Sequence, residues 1–289
     1  SRASNPVHES SRVSFARHHA ICAVRVPLTT PNSLFSASDA ASATTAVVLA
    51  AGLGSRLQSV HDARPKGFVE IGGTPLIARS IRALQAAGVR NFVFVVGWRA
   101  EDYRAWTAVE CPHAVCVDNA AFATTGSLRS LLIGAAAAPG RDLIVLESDL
   151  LYEHRGLTAL FSAPSADTIL VSGFTQSSDE VWVYERTPQL LMHMSKTPLR
   201  EYQPVGELVG VSRFSARLVA ELSHAATRLP ASAHYEDGLN AIAETQPISV
   251  LHVADLAWCE IDDPEHLARA RNVIWPRVQL ANANACLLA

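Results

Sequence analysis

The stretch Val47-Val-Leu-Ala-Ala-Gly-Leu-Gly-Ser-Arg56 decides the reading, together with Lys66 in Arg64-Pro-Lys-Gly67 just downstream. The apolar run Val47, Val48, Leu49 predicts a short buried strand. It empties into Ala50-Ala-Gly-Leu-Gly54, where side chains are small or absent, so backbone N–H groups can approach a polyphosphate closely. Arg56 is a fixed fork of donors for phosphate oxygens, and Lys66 is a mobile point charge able to follow a phosphoryl group. Together they suit the neutralisation of a triphosphate whose α-phosphorus must stay open to attack. A dinucleotide-binding turn is excluded, because its fingerprint wants a small residue three positions after Gly54 and Leu57 stands there. A P-loop is excluded as well, since no Gly-Lys-Ser/Thr follows.

Around this stretch, 289 residues with 49% apolar and 18% charged side chains can bury the core of one large α/β domain or two small ones. A net charge of −3 gives no basic footprint for nucleic acid, so no nucleic-acid partner is expected. No apolar run approaches the ~18 residues of a membrane helix, and no membrane association is expected. The five cysteines show no paired metal spacing, which points to reduced thiols and a cytoplasmic location. Residues 1–44 are rich in Ser, Ala, Arg and His and poor in acids, and are expected to be a disordered or leader-like arm.

From Thr45 the pattern alternates strand and helix. Helices are expected over 75–87, 101–107 and 126–138, with strands over 91–97, 114–118 and 142–149. Such alternation predicts an α/β, Rossmann-like, mainly parallel sheet with helices on both faces, and ligands at the carboxyl ends of the strands. Beyond Asp149 the stretches 181–184, 191–194 and 208–214 alternate, and predict an antiparallel, acceptor-binding insertion that roofs the nucleotide half. Helices are expected at 216–227, 236–244 and 264–273, and strands at 248–253 and 257–261. The expected organisation is therefore a domain over 45–275 (nucleotide-binding half 45–150, acceptor-binding half 151–262) and a C-terminal tail over 276–289.

The whole ordered pattern Leu49-Ala-Ala-Gly-x-Gly-x-Arg56, Pro65-Lys66 and Ile71-Gly-Gly-Thr-Pro-Leu76 resembles the signature of the sugar-phosphate nucleotidylyltransferase superfamily. The resemblance spans Thr45 to about Val273 and is strongest at its two ends. It implies that Leu49, Ala50, Ala51, Gly52, Gly54, Ser55, Arg56 and Lys66 bind the nucleotide, Lys66 at the α-phosphate. Lys196, at the end of an insertion strand, is a candidate for holding the incoming phosphate or phosphonate, and an exposed strand-end lysine also fits plain solvation. Arg56, Lys66 and Lys196 are the candidate catalytic cations.

Nucleotidyl transfer calls for a divalent cation, and Mg²⁺ takes one or two protein carboxylates. Asp149, closing Leu146-Glu-Ser-Asp, and Asp262, closing Trp258-Cys-Glu-Ile-Asp, stand at strand ends where the superfamily holds its metal. Asp263 precedes Pro264 and is read as a helix N-cap rather than a ligand. The segment from Asn119 to Ser127-Leu128 is similar to the base-pocket region of the phosphocholine and 2-aminoethylphosphonate cytidylyltransferases, and implies CTP. Ser127 at a helix start fits a cap equally well. Trp182, Tyr184 and Trp258 near Glu236 and Glu260 suit a cationic amine, since aromatic faces and carboxylates bind such groups.

The expectation is a Mg²⁺-dependent cytidylyltransferase that joins CMP to 2-aminoethylphosphonate or phosphocholine and releases pyrophosphate. Its partners are CTP and a small phosphonate or phosphate acceptor, with a homodimer left open. A sugar-1-phosphate nucleotidylyltransferase is the alternative enzyme, and a non-catalytic nucleotide-sensing domain the alternative of another class.

Overall fold

The computed structural model describes residues 41–57, 64–175, 177 and 179–288. Most of the expected arm, residues 1–40, lies outside the described residues. Its last part is not arm-like: residues 41–43 are helical and Ala41 is buried in the core.

In chain order, β1 (Thr45–Ala50) leads into the glycine-rich loop, and a small ribbon of β2 (Glu70–Ile71) and β3 (Thr74–Pro75) precedes α1 (Leu76–Ala87). Then come β4 (Asn91–Val96), α2 (Ala100–Glu110), β5 (Val115–Asp118), α3 (Ser127–Ala136) and β6 (Leu143–Glu147). The second half holds β7 (Leu150–Tyr152), α4 (Arg155–Ser162), β8 (Thr168–Ser172), β9 (Trp182–Thr187), β10 (Leu190–Ser195) and β11 (Gly206–Phe214). It continues with α5 (Ala216–Ala226), α6 (Tyr235–Ile242), β12 (Ser249–His252), β13 (Trp258–Glu260) and α7 (Pro264–Arg269).

Nine strands make one sheet in the order β5-β4-β1-β6-β11-β8-β12-β10-β9, and β7 pairs with β13 in a separate ribbon. Strands β5, β4, β1 and β6 are parallel, as the alternation predicted. All six residues of β1 are buried, which befits a strand with neighbours on both edges and helices on both faces. Period-two alternation divides them: Ala46, Val48 and Ala50 pack with Ile77, Ile81 and Tyr103, while Val47 and Leu49 pack with Leu128, Leu131 and Leu239. Helix α1 stops where Gly88 takes a left-handed conformation at φ 109°.

The three alternating strands of the second half do pair antiparallel. The third of them, β11, is not part of a roof. It lies inside the main sheet between β6 and β8, and all nine of its residues are buried, so it is core rather than cover. The terminal helix also runs on past 273. A π turn at Ala270–Ile274 carries α7 into α8 (Trp275–Leu288), so the stretch expected as a tail is helical through Leu288. Among the described residues no helix is long and apolar enough to cross a membrane, and Cys111, Cys116 and Cys259 are free thiols.

Candidate active site

Strands β1 and β6 end side by side, with Leu49 in register with Glu147. The glycine-rich loop and the Glu147-Ser-Asp149 segment therefore leave the sheet at one carboxyl edge. The β7–β13 ribbon brings the second acidic segment to the same place: Leu150 faces Glu260, and the Ile261 N–H donates to the Asp149 carbonyl at 3.1 Å. Asp149 and Asp262, far apart in sequence, thus become neighbours across two short strands.

These elements surround a cavity of about 330 Å³. Its wall includes Leu49, Ala50, Ala51, Gly52, Gly54, Arg56 and Lys66 from the β1 end, and Asn119 and Ser127 beside α3. Asp149, Lys196, Glu236, Trp258, Glu260 and Asp262 line it as well. Gly54 has φ +58°, a left-handed conformation, and a Cβ there would stand 3.0 Å from Lys66 Cγ. The glycine thus permits both the turn and the passage of the Lys66 stem.

Lys66 Nζ is 2.9 Å from Asp149 Oδ2 and also pairs with Asp262 Oδ1. Burial works against its charge, but Asp149 and then Asp262 hold the ammonium well above the ordinary lysine range. Glu147, Asp149 and Glu260 each offer a carboxylate oxygen within 4.8 Å of the others. Burial, followed by the charge on Asp149, pushes the Glu147 and Glu260 carboxyls well up. Asp262 Oδ2 is buried without a hydrogen-bond partner. An all-oxygen donor set with surplus negative charge and an unsatisfied carboxylate oxygen suits a hard divalent cation.

Arg56 and Lys196, from opposite sides of the cavity, meet on one residue. Asp179 lies 3.0 Å from Arg56 Nη2 and 2.6 Å from Lys196 Nζ, and Arg56 also approaches Asp262 at 3.3 Å. Burial opposes the Asp179 charge, yet its hydrogen bonds with Lys196 and Arg56 hold the carboxyl below the usual range. The segment bearing Asp179 is tied down at two points. Thr175 Oγ1 donates to the buried Glu207 at 2.7 Å, and His266 Nε2 is 3.0 Å from the Ser177 carbonyl. The Asp262 N–H also reaches His266 Nδ1, at 3.4 Å.

Asp263 is the N-cap of α7: its side chain accepts from the His266 N–H at 2.8 Å, with Pro264 at the first turn. The expected cap at Asp263 is thus present in the structure. On the opposite wall, Asn119 is buried and its amide is used within the protein. Nδ2 donates to Thr125 Oγ1 and Ser130 Oγ, and Oδ1 accepts from the Ala121 N–H. Ser127 does not cap its own helix, whose N-cap is Gly126, and it bonds instead to the start of another. Its Oγ accepts from the Tyr235 N–H at 3.0 Å and so joins the starts of α3 and α6.

Three expected residues are not in the wall. Ser55 stands in the turn behind Gly54 and does not line the cavity. Trp182 and Tyr184 on β9 do not line it either. Tyr184 is 1% exposed and its hydroxyl accepts from the Leu199 N–H, so it belongs to the core. Strand aromatics fill interior space, and nearness to acids in sequence does not place them in a site. Glu147, Asp179, Glu207 and His266 were not foreseen. Glu147 had a signal: Glu147-x-Asp149 repeats the spacing of Glu260-x-Asp262, and alternate positions of an extended chain share a side. Asp179 and Glu207 had none, because their roles depend on which strands become neighbours.

A family model described as MobA-like NTP transferase domain matches residues 46–201. The chain is similar to CMP-5'-(3-aminopropyl)phosphonate synthase of Streptomyces rubellomurinus, at 29% identity over 237 residues, covering 76% of this chain and 37% of that protein. It is also similar to 2-aminoethylphosphonate cytidylyltransferase of Lancefieldella rimae, at 30% identity over 108 residues, covering 37% of this chain and 44% of that one. The matches thus span less than half the length of these two relatives. Among solved structures, the fold matches the inositol-1-phosphate CTP transferase from T. maritima with a TM-score of 0.71 and 20% identity, over 83% of this chain and 96% of that one. The family match runs from β1 past Lys196, more than half of the 289 residues, and the chain belongs to the MobA-like NTP transferase domain family.

Proposed function

We propose that this chain is a cytidylyltransferase that transfers CMP from CTP to a small aminoalkyl phosphonate or phosphocholine-like acceptor, with release of pyrophosphate. One observation carries the reading. A single cavity receives the glycine-rich loop, the cations Arg56, Lys66 and Lys196, and the carboxylates Asp149 and Asp262. The relatives that act on aminophosphonates by name support the acceptor class.

The residues divide the work by position. Loop N–H groups from Ala50 to Gly54 and the Arg56 fork cradle the triphosphate. Lys66 stands where negative charge grows on the α-phosphoryl group during in-line attack, and its paired carboxylates keep it protonated. Asp149 and Asp262, with Glu147 and Glu260 behind them, would hold Mg²⁺. The bound ion supplies charge neutralisation for the leaving pyrophosphate. Lys196 orients the acceptor phosphonate, and Trp258 with Glu236 receives its amine. Asn119 and Ser127 shape the base pocket. A phosphonate oxygen is already an anion at neutral pH, so attack needs no general base.

The test is pyrophosphate release from CTP, UTP, GTP and ATP, each offered with 2-aminoethylphosphonate, 3-aminopropylphosphonate, phosphocholine and glucose 1-phosphate. CTP with an amine-bearing acceptor is expected to be fastest, and a chelator is expected to stop turnover without altering the circular dichroism. Faster reaction of glucose 1-phosphate with UTP would overturn the reading.

A further inference from the structure

A second cavity, of about 200 Å³, opens on the other side of the ribbon that carries the acidic cluster. Its polar wall includes Arg79, Arg82, Ser80, Tyr152, His154 and Asn282, and its apolar wall includes Leu150, Leu151 and Trp275. No carboxylate lines it among the described residues. Arg82 pairs with Glu110 only loosely at 3.7 Å, and Arg79 has no carboxylate partner among the described residues. The Arg79 guanidinium lies 3.9 Å over the Trp275 ring and donates to the Ile71 carbonyl, which fixes its plane.

Two donors in this wall are left over. Tyr152 is 7% exposed, and its hydroxyl is buried with Ser80 nearby but no hydrogen bond of normal geometry. Arg79 Nε is likewise buried without a partner. Each such group is unfavourable when nothing accepts from it. Two guanidinium groups and surplus hydroxyl donors against an apolar floor match an anion with several acceptor oxygens. A volume several times the ~30 Å³ of one water admits a small organic molecule.

We propose that this cavity binds a small phosphate- or phosphonate-bearing molecule, outside the catalytic cavity. The site is wired to the catalytic cavity by covalent and ladder connections. Leu150 follows Asp149 directly, Tyr152 is in register with Trp258, and Leu150 is in register with Glu260. The π turn at Ala270–Ile274 delivers Trp275 to the wall, and such turns recur at functional positions.

The experiment is calorimetric titration of the full chain with methylphosphonate, inorganic phosphate and acetate. An Arg56→Gln/Lys66→Gln/Lys196→Gln background removes the three cations of the first cavity. Methylphosphonate is expected to bind this background, and to bind at least about tenfold more weakly after Tyr152→Phe or after Arg82→Gln, because each removes a donor to a charged acceptor. Both substitutions leave the fold intact, as thermal melts will show: one is isosteric and the other lies at an exposed position. Binding unchanged by both variants, or no binding in this background, overturns the site. Acetate binding as tightly as methylphosphonate overturns the phosphoryl assignment. Inorganic phosphate binding more tightly than methylphosphonate overturns the organic ligand. None of these outcomes depends on which nucleotide the first cavity takes.

Discussion

Replacing Asp262 and Asp263 one at a time separates chemistry from folding at adjacent positions. Asp263→Ala removes the cap bond to the His266 N–H, a 2.8 Å contact. Loss of an N-cap costs about 1 kcal/mol. For a domain of this size that corresponds to a fall in Tm of roughly 2 °C. The carboxylates that face Lys66 are untouched, so turnover should stay within about twofold of the parent.

Asp262→Asn should do the reverse. Lys66 keeps Asp149 at 2.9 Å, and one charge that repels Glu147 and Glu260 is withdrawn. Lost pairing and relieved repulsion offset one another, and Tm should move by less than about 1 °C. The rate of pyrophosphate release should fall on the order of a hundredfold or more, the size seen when one preorganised electrostatic partner of a transition state is removed. The assay pairs scanning calorimetry with pyrophosphate release for both variants. An inactive Asp263→Ala with an unshifted Tm, beside an active Asp262→Asn, would refute the division of roles.

Gly54→Ala should cost roughly 1–2 kcal/mol because φ is +58°. It should also lower turnover by pressing on the Lys66 stem; a variant as stable and active as the parent would count against the close approach. Tyr184→Phe should cost about 1 kcal/mol in urea unfolding, through the lost bond to the Leu199 N–H, and leave the acceptor KM unchanged. Trp258→Ala should raise the KM for an amine-bearing acceptor by about tenfold and spare that for CTP, whereas Trp182→Ala should change neither. Asp179 has its carboxyl held below the ordinary 3.8, so its contribution is full above that pH and is lost as pH falls through the lower folded value. Tm measured downward from pH 5 should therefore decline less steeply in Asp179→Asn than in the parent. Equal slopes would show that Arg56 and Lys196 leave the carboxylate alone. Both cations are more than half exposed, so the effect is modest.

What the sequence determined by itself is local. Buried Val47 to Leu49 running into Ala-Ala-Gly-Leu-Gly requires a strand and a turn stripped of side chains, whatever else the chain does. The parallel half follows from strand–helix alternation, because each helix must return the chain to the same edge. Asp263 before Pro264 is a cap on local grounds, and the capping bond is there. The two acidic segments were legible too, since each ends a short apolar run.

Tertiary structure alone decided the rest. The register of β7 with β13 is what joins Asp149 to Asp262, and strand register is a property of two segments rather than one. The place of β11 inside the sheet could not be read from its alternation, which suits a core strand and a covering strand alike. Tyr184 is buried for the same reason: period two shows that a residue shares a side with its alternates, and says nothing of what packs there. Asp179 gathers Arg56 and Lys196 only because three loops converge, and the leftover Tyr152 hydroxyl exists only where α1, the ribbon and α8 enclose a space. Long-range convergence has no period and no motif, so it is written in packing and not in any single stretch of chain.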